Sequence, residues 1–67
     1  MREPLDVALR KRLRERMNDL ADALARGEMS TIEQYKETCG EIRGLARAEA
    51  ELLELAKKYN GPDEDDN

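Results

Sequence analysis

The chain has no histidine, phenylalanine or tryptophan, one cysteine, two tyrosines and two prolines in 67 residues. Each shortage removes a class of structure or chemistry. Without histidine the commonest zinc ligand and the commonest neutral-pH general base are gone. With Cys39 alone, an internal disulfide is impossible. With Tyr35 and Tyr59 as the only aromatics, large rings cannot dominate a core. No segment approaches the ~20 apolar residues of a membrane span, and Met1–Leu5 carries no apolar signal core. The unpaired Cys39 fits a reducing compartment, so the expected location is a cytosol, or a particle assembled in one.

What is present is charge and helix formers. Charged residues make up 42% of the chain, with a net charge of −4. Alanine, leucine, glutamate, arginine and lysine dominate, the composition of long helices and coiled coils. A single small domain without disulfide or metal rarely builds a core worth more than about 3–5 kcal/mol, so stability is expected to draw on oligomerisation or docking.

Two helices are predicted. Pro4 suits a first helical turn, where its missing N–H had no partner. Leu5, Leu9, Leu13, Met17, Leu20 and Leu24 then recur at helical spacing as a narrow stripe for one neighbouring helix. Gly27 can close that helix, near Arg26, in a left-handed C-cap. Ser30 and Glu33 have the spacing of a capping box. The second helix is predicted over 31–59, stopped by Asn60-Gly61-Pro62. So short a link implies an all-α, antiparallel two-helix hairpin over 1–60, followed by a flexible, disordered acidic tail over 61–67.

At 100° per residue the apolar positions of the second helix divide into two sets. Ile32, Tyr35, Cys39, Ile42, Ala46 and Leu53 form the stripe expected to pack against the first helix. Gly40, Gly44, Ala48, Leu52, Leu55 and Tyr59 lie roughly 140–180° around, cannot reach the same partner, and are the candidate interface for a helix of another copy or another protein. Pairing through the turn puts Met17 near Cys39 and Leu5 near 50–53, with Leu55 and Tyr59 on an overhang. Glycine inside a helix costs roughly 0.5–1 kcal/mol against alanine. Gly40 and Gly44 are therefore either tolerated on an open face, or let the first helix sit closer, or admit a helix from outside.

Arg10, Lys11, Arg12, Arg14 and Arg16, with Arg43 and Arg47 opposite, form a basic belt on an acidic chain. Arg10, Arg12, Arg14, Arg16, Arg43 and Arg47 are candidates for electrostatic docking to phosphate or to an acidic protein surface; the plainer reading is a solvated rim that covers the seam. Nucleic acid is the weaker choice of partner, because no aromatics are interleaved for base stacking. Carboxylates at helical spacing, such as Glu33/Glu37 and Glu51/Glu54, read as solvent-facing, and Cys39 reads as a small buried apolar residue. No catalytic, cofactor or metal site is expected, and no enzyme.

The segment Tyr35-Lys36-Glu37-Thr38-Cys39-Gly40-Glu41-Ile42-Arg43-Gly44-Leu45 resembles a pattern in small helical proteins of tailed bacteriophages: tyrosine, Cys-Gly four residues on, an aliphatic residue, then Gly-Leu. The resemblance spans roughly residues 5–59. It implies a small phage structural or accessory protein that docks on the capsid, portal or neck, or self-assembles. A small regulator binding a host protein or nucleic acid through the basic belt is the alternative. Either setting implies a virion or the host cytoplasm.

Overall fold

A computed structural model describes residues 3–60 of the chain. It contains two helices, α1 (Leu5–Ala25) and α2 (Ile32–Asn60), packed against each other as an all-α hairpin. The acidic tail expected over 61–67 lies outside the described residues.

Local chemistry fixes both sides of the turn. Pro4 sits immediately before α1, with φ −59° and ψ 150°, and its carbonyl accepts the Ala8 N–H at 3.0 Å. It thus precedes the first turn it was expected to enter. Asp6 in that turn complements the positive end of the helix dipole. At the other end Gly27 has φ +71°, its N–H donates to the Leu24 carbonyl at 3.0 Å, and the Glu28 N–H donates to the Ala23 carbonyl at 3.1 Å. These two bonds make a Schellman C-cap, which uses carbonyls the helix leaves unpaired.

The cap of α2 is shifted by one residue from the expected Ser30/Glu33 pair. Thr31 Oγ1 accepts the Gln34 N–H at 3.1 Å, and Gln34 Oε1 accepts the Ser30 N–H at 2.8 Å and the Ser30 hydroxyl at 3.0 Å. The side chain that reaches back is thus Gln34, and Glu33 is left to complement the dipole in the first turn.

The seam also differs from expectation. On α1 it holds Leu13, Met17, Leu20 and Leu24, with Met17 the most enclosed apolar side chain at 9% exposure. Leu5 (83% exposed) and Leu9 are not in it. Two successive steps of four residues each overshoot a full turn by about 40°, which swings Leu5 and Leu9 off the line of Leu13. On α2 the half-buried and buried residues are Thr38, Cys39, Ile42, Leu45, Glu49, Leu52 and Ala56. Of the expected stripe only Cys39 and Ile42 are covered; Ile32, Tyr35, Ala46 and Leu53 are exposed.

The helix is therefore rotated by roughly 75° about its axis from that stripe. The rotation brings Leu45 and Leu52 inward and places Glu49 opposite two arginines of α1. Thr38, Ile42, Leu45, Glu49, Leu52 and Ala56 then recur at steps of four and three, the seam spacing of paired helices. The last turns of α2 do not overhang freely. Leu5 and Asp6 line one groove with Leu52, Leu55, Ala56 and Tyr59.

Substitution of Gly27 by alanine, which forces a side chain into the left-handed region, is expected to destabilise the hairpin by about 1 kcal/mol. Gly40→Ala and Gly44→Ala meet open space, with nothing within 4 Å of the added carbon. Each is expected to stabilise the fold by roughly 0.5–1 kcal/mol. Urea denaturation of the three variants checks both signs.

Candidate interaction surface

The most enclosed charged group among the described residues is Glu49, 7% exposed and in the middle of the seam. Its Oε2 accepts the Arg10 Nε–H at 2.9 Å and the Arg14 Nε–H at 2.8 Å. Arg10 and Arg14 stand one turn apart on α1, so their guanidinium groups converge on one carboxylate. Both arginines stay about half exposed, which keeps their charges largely hydrated while the carboxylate gives up its water. Hydrogen bonds from Arg10, then Arg14, hold the Glu49 carboxyl below the usual carboxylate range, against the upward push of burial.

This arrangement changes the meaning of the basic belt. Arg10 and Arg14 are engaged by Glu49, and Arg16 donates to Glu41 Oε2 through Nη2 at 2.9 Å and Nε at 3.1 Å. Lys11 pairs with Glu3. Of the six arginines considered for docking, Arg12, Arg43 and Arg47 are exposed and without a carboxylate partner among the described residues. Three of the seven belt residues thus clamp the two helices together, Lys11 pairs locally, and three cations are left without a carboxylate among the described residues.

The other candidate set is also divided. Gly40, Gly44 and Ala48 are exposed, and the open space around both glycines excludes a role in admitting α1. Leu55 and Tyr59 are exposed, Tyr59 at 82%. Leu52 is half-buried, shared between the seam and a neighbouring groove. That groove, about 370 Å³ and open to solvent, is walled by Leu5 and Asp6 from α1 and by Leu52, Leu55, Ala56 and Tyr59 from α2. It lies at the end of the hairpin away from the turn. Leu5 was read as a seam residue, yet it belongs here, brought in by the same angular drift that takes it off the seam.

Cys39 is half-buried on the seam side of α2. No group of three or more metal-ligating side chains is gathered among the described residues, and no helix there is long and apolar enough to cross a membrane. No family model, curated protein or solved structure matches the chain.

Glu49 escaped the sequence reading because its charge removed it from the apolar stripe. Two signals point to it: the step of four and three through Leu45, Glu49 and Leu52, and the i,i+4 pair of arginines on the other helix. Because its carboxyl is depressed in the folded state, its stabilisation is present above the unfolded value of about 4.3 and is lost as pH falls through the folded value. Glu49→Gln is expected to lower the Tm by several degrees at neutral pH. The difference from the wild type shrinks as thermal melts are taken down through that acidic range. Glu49→Leu extends the row of Leu45 and Leu52 and releases two half-exposed arginines to water, so it is expected to melt above Glu49→Gln.

Proposed function

We propose that this chain is a non-enzymatic helical interaction module that works by seating a protein partner on the open end of its hairpin. The observation that carries this reading is the apolar groove walled by Leu5, Leu52, Leu55 and Tyr59, next to a seam with one well-enclosed apolar side chain among the described residues, Met17. Large exposed apolar side chains gathered in one place mark a contact surface when singly scattered ones do not. Tyr59 and the leucines supply the anchor types that such contacts use, an amphipathic ring and aliphatic side chains beside a half-formed pocket.

The proposed setting, a small structural or accessory protein on a phage capsid, portal or neck, rests on the Tyr35–Leu45 motif alone. Binding to nucleic acid draws less support, since Arg10, Arg14 and Arg16 are committed to carboxylates of α2.

A photo-crosslinking amino acid at position 55 is expected to give a protein adduct in the cells or particles that contain the chain. The same probe at Leu53, equally apolar but on the opposite flank of α2, is expected to give no adduct with a foreign protein. Absence of any adduct from position 55 overturns the reading.

A further inference from the structure

The apolar stripe that spacing assigned to the seam of α2 lies mostly outside it. Ile32, Tyr35, Ala46 and Leu53 are exposed on the flank opposite the Leu5–Tyr59 groove, with Ala50 among them and half-buried Cys39 at their edge. On α1 the same flank carries Val7, Arg10, Arg14, Ala21 and Ala25, all exposed. Val7, Arg10, Lys11, Arg14, Glu15 and Asn18 wall an open depression of about 380 Å³ along it. At 100° per residue, Glu15 and Asp22 edge the flank on α1, and Lys36, Arg43 and Arg47 edge it on α2. None of these five forms an ion pair within its own chain among the described residues.

The seam fixes how the two helices are registered. Arg10 reaches Glu49, Arg16 reaches Glu41, and Leu5 shares a groove with Leu55. A residue of α1 therefore stands level with the α2 residue whose number brings their total to about 60. On that scale Val7 is level with Leu53, Ala21 with Cys39 and Ala25 with Tyr35. Arg10 and Arg14 are level with Ala50 and Ala46. Glu15 lies between the levels of Arg43 and Arg47, and Asp22 close to that of Lys36.

We propose that this flank is covered by a second copy of this chain, while the groove of the proposed function stays open on the outer side of each copy. A two-fold axis parallel to the helices keeps every residue at its own level. It sets α1 of each copy antiparallel beside α2 of the other, as in a four-helix bundle. Val7 of one copy then meets Leu53 of the other, and Ala25 meets Tyr35. Ala46 and Ala50 leave room for the stems of Arg14 and Arg10, whose heads stay turned to Glu49 of their own chain. Along the outer edge Glu15 meets Arg43 and Arg47, and Asp22 meets Lys36. The apolar stripe of α2 thus packs on an α1 helix after all, that of the other copy.

Charge complementarity is what selects a second copy. Over the half nearer the turn, the outer edge of this flank is acidic on α1 and basic on α2, and the rotation brings those edges together at matching levels. The register needed is the one that the contacts within each chain already fix. Length is sufficient too. The 21 residues of α1 span about 32 Å, and two helices side by side give a face of about 20 Å. That face is of the order needed to bury the roughly 800 Å² per partner of a standard interface.

Light scattering of the full chain is expected to give twice 7.7 kDa. Leu53→Glu is expected to return the mass to that of one chain with unchanged helical circular dichroism, while Leu55→Glu on the groove flank keeps the dimer. Glu15→Arg and Arg43→Glu each set like charges against one another across the interface, so each alone is expected to dimerise roughly tenfold more weakly. Mixed together, the two variants regain both opposite-charge contacts and are expected to recover the wild-type strength as a heterodimer. A one-chain mass at every concentration up to the solubility limit overturns the inference. So does dissociation by Leu55→Glu equal to that by Leu53→Glu, or a mixture no tighter than its separate components. The groove reading fails separately: no adduct at position 55 leaves the dimer standing, and a one-chain mass leaves that adduct in place.

Discussion

One buried carboxylate sets the geometry of this hairpin. Glu49 sits where an aliphatic residue would continue the row of Leu45 and Leu52, and it is accommodated because Arg10 and Arg14 both reach its Oε2 from the other helix. A buried acid without those donors would lose its hydration and gain nothing in return. The requirement that it face α1 fixes the rotation of α2, and that rotation decides which side chains are enclosed and which are left outside. Leu53, Tyr35 and Ile32 end on one flank, and Leu55 and Tyr59 on the other. The surface is in this sense a consequence of the clamp.

The clamp also accounts for what the basic belt does. Arginine at the rim of a helix pair can cover the seam with its stem while its head remains in water. Here two heads are drawn to one oxygen and a third to Glu41, so a dense positive run on an acidic chain becomes a means of registering one helix against the other. Charged pairs at a rim add little to stability, but a buried acid with two specific donors discriminates strongly between registers.

The two helices, their turn and their near-exact limits were legible in the sequence, because they depend on local chemistry. Pro4, Gly27 and the run of helix formers act over a few residues each. The cap at Thr31 and Gln34 was misplaced by one position, since Ser30 and Thr31 both qualify and only the backbone path chooses between them. The orientation of α2 was not legible from apolar spacing. That reading assumed that enclosed positions are apolar, and Glu49 violates the assumption with the help of residues some 35 positions away in the chain. The exposed set fared better: Gly40, Gly44, Ala48, Leu55 and Tyr59 all lie outside the seam, and Leu52 alone crosses into it. Leu5 was assigned to the wrong surface because a stripe spaced by fours precesses, an effect visible only once its partner is placed.

The Schellman cap at Gly27 and the Thr31–Gln34 cap secure one end of the hairpin with several hydrogen bonds inside a few residues. Among the described residues the far end has no capped turn of this kind, and Leu5 there lies largely in water beside Tyr59. Local opening in a two-helix hairpin starts more readily at the end away from the turn, where the chain is not covalently continuous between the helices. The apolar groove therefore lies in a portion that opens more readily than the seam around Met17 and Glu49. Whatever fills the groove acts as a clasp on a hinge. By mass action it raises the stability of the whole helix pair, so that binding and completion of the fold are a single event.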